Sequence, residues 1–171
     1  MQRMRKIVEV LDDISVNHKP GKKTVQKLLY LMERRGVQLD LDYRIHFFGP
    51  YSSTLDNILR ALHNSEVIDI NTTGQTHTIS VKDLSLCEGE GLSPAENEFV
   101  QFVIDKFGDK TALELEAITT LDFVARSLSE STVITDDSEI IKNVQKIKGN
   151  KFSEPQLIEH LNLLKQLKYL S

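Results

Sequence analysis

The sequence predicts a mainly α chain of α+β class, with a winged-helix-like N-terminal module carrying a small β-hairpin wing and an α-helical C-terminal module behind it. Three observations carry that prediction. Apolar residues recur at helical spacing in segment after segment. β-branched and aromatic residues gather in short runs at 43–48, 67–71 and 77–81. Helix-starting Ser or Asp and helix-stopping Gly stand at the segment boundaries. With 171 residues, 40% of them hydrophobic, the chain can bury a real core.

In the first helix, over residues 1–17, Met4, Ile7, Val8, Leu11 and Ile14 share one face, and Glu9, Asp12 and Asp13 lie on the other. His18-Lys19-Pro20-Gly21 breaks it, because proline disfavours helical backbone in the residue before it. A second helix runs from Lys22 or Lys23 to Arg35, with Val25, Leu28, Leu29 and Met32 inward, Leu31 at the margin, and Gly36 placed to end it. After a short loop over 37–42, residues 43–48 read as one strand that Gly49-Pro50 stops. Ser52 or Ser53 caps a third helix bearing Leu55, Ile58, Leu59 and Leu62. Runs 67–71 and 77–81 then form a hairpin around Thr72-Thr73-Gly74-Gln75. Helix, helix, strand, helix, hairpin is the winged-helix order, which sets the first module at residues 1–82.

Residues 83–91, ending Cys87-Glu88-Gly89-Glu90-Gly91, have no hydrophobic period and read as a linker. Residues 92–171 are expected to be wholly helical and to pack on the first module. Ser93-Pro94-Ala95-Glu96 spells a capping box with a first-turn proline, and Phe99, Val103, Ile104 and Phe107 follow on one face before Gly108. Thr111-Ala112-Leu113-Glu114 repeats the box ahead of Ile118, Leu121, Val124 and Leu128, with Thr119-Thr120 the place for a kink. Asp136-Asp137-Ser138 opens a helix with Ile140, Ile141, Val144 and Ile147 inward and Gly149 at its end. Ser153-Glu154-Pro155-Gln156 caps the last helix, whose broad face is Leu157, Ile158, Leu161, Leu164 and Leu167. Leu163 and Leu170 fall outside that stripe, so this helix is either a homodimer contact or part of a wholly intramolecular core.

Composition narrows the function classes. A net charge of -4 and a pI near 5.7 argue against a protein that wraps nucleic acid non-specifically. One cysteine, Cys87, leaves no disulfide framework and no cysteine-based zinc site. Arg3, Arg5 and Lys6 are followed by an apolar run broken at Glu9, Asp12 and Asp13, so no signal-peptide core forms. No stretch reaches the roughly 18 uninterrupted apolar residues of a membrane helix; a cytoplasmic chain without membrane contact is expected. His18, His46, His63, His77 and His160 are never one helical turn apart, and Asp12-Asp13 and Asp136-Asp137 are adjacent pairs that diverge on a helix. With no nucleophile elbow, phosphate loop or dinucleotide fingerprint, no catalytic residue, metal or cofactor is expected.

The densest signal is the aromatic corner at 43–52. Strand alternation puts Ile45 and Phe47 on one side and His46 and Phe48 on the other. Tyr30, His46 and Tyr51 are therefore candidates to line one concavity, with Phe48, Gly49 and Pro50 completing a partner-binding corner; a structural role in the core is the competing reading for His46 and both tyrosines, and the one these residue types more often fill. The alternative is a DNA-binding regulator, using Lys22, Lys23, Lys27, Arg34 and Arg60. Against it, the third helix exposes Ser53, Thr54, Asp56, Asn57, Arg60 and His63, with one firm cation, and the wing tip from Asn71 to Thr76 has none.

Two motifs carry a family resemblance: Thr24-Val25-Gln26-Lys27-Leu28-Leu29-Tyr30-Leu31, then Phe48-Gly49-Pro50-Tyr51-Ser52. Together they resemble the YwgA-like proteins of bacteria and archaea and, more distantly, the SocA-like antitoxin (Panacea) domain, whose pattern is a Lys-Leu-Gln-Lys-Leu-Leu-Tyr helix and an aromatic-Gly-Pro turn. The resemblance implies a non-catalytic regulatory protein whose partner is a protein. For the SocA-like branch it implies an antitoxin, in one line an adaptor, so that a toxin or a protease component is the implied partner.

Overall fold

The computed structural model describes residues 2–75, 77–131 and 136–171; Met1 of the predicted first helix and Thr76 of the wing tip lie outside the described residues. The elements are α1 (Gln2–Ser15), α2 (Lys22–Arg35), β1 (Arg44–His46), β2 (Gly49–Tyr51), α3 (Ser53–Asn64), β3 (Ile68–Asn71), β4 (Thr78–Val81), α4 (Pro94–Phe107), α5 (Ala112–Ser131), α6 (Asp137–Lys148) and α7 (Glu154–Gln166). The chain is mainly α, with two antiparallel two-stranded sheets, β1–β2 and β3–β4. Capping boxes start α4 at Ser93 and α7 at Ser153, and each is worth about 1 kcal/mol.

One predicted strand is instead a hairpin. Residues 43–48 do not run straight to a stop at Gly49-Pro50; they turn at Phe47-Phe48, and Gly49 and Pro50 belong to the returning strand. Neither phenylalanine has a positive φ, and the register is recovered by Gly49 at φ +91, a conformation that L side chains rarely adopt. Pro50 is tolerated because a two-stranded sheet has only edge strands.

The Pro20-Gly21 break is tied to the wing. Lys22 donates its amide to the His77 carbonyl at 2.9 Å and Ile79 donates to Pro20 at 2.9 Å, so a short third edge joins β4. The loop over 37–42 is anchored, with Asp40 and Asp42 at positive φ: Val37, Leu39 and Leu41 are buried, and the Gln38 and Leu41 amides donate to Glu96 and Glu33. Residues 83–91 are likewise held. Arg5 donates to the carbonyls of Leu84 and Cys87, Glu9 accepts from the Leu92 amide at 2.7 Å, and burial pushes the Cys87 thiol up.

The second helix is more enclosed than its period suggests. From Val25 to Met32 every residue of α2 is buried, Gln26 and Lys27 included, because α4, α5 and the β1–β2 hairpin pack around it. The α5 helix runs unbroken through Thr119-Thr120, and the Thr119 hydroxyl donates to the Leu115 carbonyl of the preceding turn. Its neighbours are α2, β2, α6 and α7, and one contiguous apolar cluster extends from Ile7 to Tyr169. Leu163 and Leu170 pack against that cluster. Ile147 and Ile158, expected inward, remain 47% and 42% exposed, since both flank the turn joining α6 to α7. No helix among the described residues is long and apolar enough to cross a membrane.

Candidate functional site

The β1–β2 hairpin is gripped from beneath by side chains of three helices. From α2, the Lys27 ammonium donates to the Pro50 carbonyl at 2.6 Å. Burial pushes its pKa down to about 8; Glu116 opposes this, and Lys148, Lys23 and Lys151 add to it. From the end of α6, Lys148 donates to the Phe47 carbonyl, and its pKa too is lowered by burial, against the pull of Glu116. From α5, Glu116 lies between Lys148 at 3.4 Å and Lys151 at 2.8 Å. Thr120, one turn on, closes the floor: a Cβ on Gly49 would stand 2.7 Å from its hydroxyl oxygen. Only glycine meets both that approach and the φ of +91. Thr120 Oγ1 and Glu116 Oε2 are buried without a hydrogen-bond partner among the described residues, although Glu116 is ion-paired.

Above this base the tip faces outward. Phe47 is 81% exposed and Phe48 42%, and their rings meet edge to face at 5.0 Å. The Lys23 ammonium sits 3.8 Å from the Phe48 ring centre and that of Lys151 5.1 Å from it, both within cation–π range. Beside the tip opens a cavity of about 640 Å³ lined by Lys22, Lys23, Lys27, His46, Tyr51 and His77 among others. The His46 and Tyr51 rings are 5.1 Å apart at its edge. Asp56, also lining it, binds Lys22 at 3.3 Å and Arg60 at 2.8 Å; those cations hold its carboxyl below the usual range although burial opposes them.

The structure thus brings His46, Phe48 and Tyr51 together, with Gly49 and Pro50 buried under the tip. Tyr30 is elsewhere. Its hydroxyl donates to Asp122 at 2.7 Å, its ring packs edge to face on Tyr43, and burial pushes its pKa well up. The five candidate nucleic-acid cations are divided as well. Arg34 makes a two-point pair with fully buried Asp122 at 2.7 and 3.1 Å and caps the Tyr169 carbonyl. Lys27 is buried, Lys22 and Arg60 share Asp56, and Lys23 stands exposed over Phe48. Phe47, Glu116, Thr120, Lys148 and Lys151 were not singled out by the sequence, nor was His77 linked to the corner. The one available signal was the basic run Lys146, Lys148 and Lys151.

Chemically, the corner offers ammonium donors around an exposed apolar tip. That composition suits recognition of a negatively charged, partly apolar surface. Among the described residues, no three or more His, Cys, Asp or Glu side chains group as a metal set. Compared with known protein families, residues 25–122, more than half of the chain, match the model of the antitoxin SocA-like, Panacea domain. The matched segment holds the hairpin, Lys27, Glu116 and Thr120, and the Tyr30–Arg34–Asp122 cluster; Lys148 and Lys151 lie beyond it. The match bears out the SocA-like resemblance, and the YwgA-like one stays an expectation of the sequence. No curated protein matches the chain.

Proposed function

The chain belongs to the antitoxin SocA-like, Panacea domain family, and from that premise we propose that it acts as a non-catalytic, antitoxin-type regulator that docks a partner protein on the β1–β2 hairpin. The observation that supports this reading is the tip itself. An 81% exposed phenylalanine is held on a backbone whose carbonyls are fixed by the ammonium groups of Lys27 and Lys148. Rigid aromatic groups at a surface are efficient binding anchors, because little side-chain entropy is lost when they are covered. His46 and Tyr51 extend the same surface into the cavity.

The partner expected for an antitoxin is a toxin, and the protein encoded beside this chain is the first to test. Co-expression with it should restore growth with the wild-type chain. His46→Ala combined with Phe47→Ser, both on exposed residues, should leave the circular dichroism and melting temperature unchanged while abolishing the rescue. Full rescue by that folded double variant would sink the assignment of the docking surface to this corner.

A further inference from the structure

We propose that the partner segment received at the hairpin corner is acidic, with carboxylates flanking one apolar or aromatic side chain. The proposal deepens the protein-binding reading above and rests on it. The first support is charge. Lys22, Lys23 and Lys27 line the cavity, and Lys148 and Lys151 reach the hairpin tip; the acids that line the cavity or pair with these lysines are, among the described residues, Asp56 and Glu116. Asp56 is shared with Arg60 besides. This excess of positive charge stands on a chain whose net charge is -4, so it is a local feature and not the character of the whole surface.

The second support is how those ammonium groups are engaged. Lys27 and Lys148 point inward to the Pro50 and Phe47 carbonyls and supply field more than contact. Lys23 forms no ion pair with a carboxylate among the described residues, and Lys151 is one-third exposed; both flank Phe48 at the rim. A ligand carboxylate placed there would meet N–H donors held over an apolar ring. The exposed Phe47 ring beside them asks for an apolar side chain in the ligand. A nucleic-acid duplex fits less well. Its phosphates need cations along an extended face, yet Arg34 is tied to Asp122, Arg60 to Asp56, and the described part of the wing tip carries no cation.

Fluorescence anisotropy with the intact chain tests this with four labelled probes at low salt. They are a short peptide with Asp and Glu on both sides of one Phe, the same peptide with Lys for each acid, the acidic peptide with Ser for Phe, and a single-stranded oligothymidine. The acidic Phe peptide is expected to bind at least tenfold more tightly than either altered peptide. Lys23→Glu is expected to weaken it tenfold or more, and Lys23→Glu with Lys151→Glu further still. The single variant keeps the test valid if reversal at Lys151 disturbs Glu116. No binding of the acidic peptide, equal binding of the three peptides, or an affinity unmoved by Lys23→Glu would overturn the proposal. Tighter binding of the oligothymidine, lost on Lys23→Glu, would overturn it in favour of nucleic acid. If the His46→Ala, Phe47→Ser chain fails to rescue growth while Lys23→Glu rescues fully, the acidic occupant falls and the protein-binding reading stands. Rescue by the former removes the protein-binding reading at this corner itself.

Discussion

Lys27 links the stability of the fold to the electrostatics of the corner. The residue is 3% exposed, and burial pushes its ammonium from the ordinary 10.5 to about 8, with Glu116 opposing and Lys148, Lys23 and Lys151 reinforcing the shift. Unfolding returns the side chain to water and to its ordinary value. Between pH 8 and 10.5, therefore, the unfolded chain holds a proton that the folded chain has released, and stability rises with pH across that window. Below pH 8 the folded state carries the whole penalty of the buried charge. Weighting by the titration of both states gives a gain of roughly 2 kcal/mol between pH 7 and pH 9.5. Lys27→Met preserves length and removes the titration, and groups that titrate independently of Lys27 cancel between the two proteins. Urea unfolding of wild type and K27M at both pH values should show the wild type gaining roughly 2 kcal/mol on the variant. Parallel profiles, within about 0.5 kcal/mol, would refute the buried ammonium.

Three further substitutions probe the supporting structure. Asp122→Ala leaves the partly buried Arg34 without its carboxylate and should cost roughly 3–5 kcal/mol by urea unfolding, part of it returned by adding Arg34→Met; a loss under about 1 kcal/mol would contradict the pairing. Gly49→Ala brings a methyl to 2.7 Å from the Thr120 hydroxyl at φ +91 and should destabilise by about 1–3 kcal/mol. Thr120→Ala in the same chain should recover a share, and an undiminished loss would remove the steric part of the explanation. Ser52 caps α3 by accepting from the Leu55 amide at 2.9 Å and donates its hydroxyl to the Leu41 carbonyl, so Ser52→Ala should lower stability by about 1–2 kcal/mol in thermal melts. No change in melting temperature would mean that the cap is replaced by other groups.

What could be read in the sequence was what local chemistry decides. The boxes at Ser93–Glu96 and Ser153–Gln156, the Pro20-Gly21 break and the β3–β4 hairpin need only residues a few positions apart, and all are present. The tip at Phe47-Phe48 was hidden because two consecutive aromatics favour extended backbone, while the turn is made possible by Gly49 pressed onto Thr120, some 70 positions away. Burial of Lys27 follows from the packing of α4, α5 and the β1–β2 hairpin around α2, and engagement of Arg34 from Asp122 on α5, none of which a helical period in α2 reveals. For the same reason Tyr30 was grouped with His46 and Tyr51: spacing along the chain does not tell which side of an enclosed helix faces a cavity. His46 and Tyr51, on neighbouring strands of one hairpin, needed no such distant information and do meet.

The location of the docking surface is tested most directly by amide hydrogen exchange of the intact chain, alone and in complex with its partner. Protection is predicted to appear at residues 44–51, where the hairpin carries Phe47 and Phe48, and at the start of α2 around Lys22 and Lys23, with α7 unchanged. Protection confined to α3 or α7, with residues 44–51 exchanging as in the free chain, would contradict it.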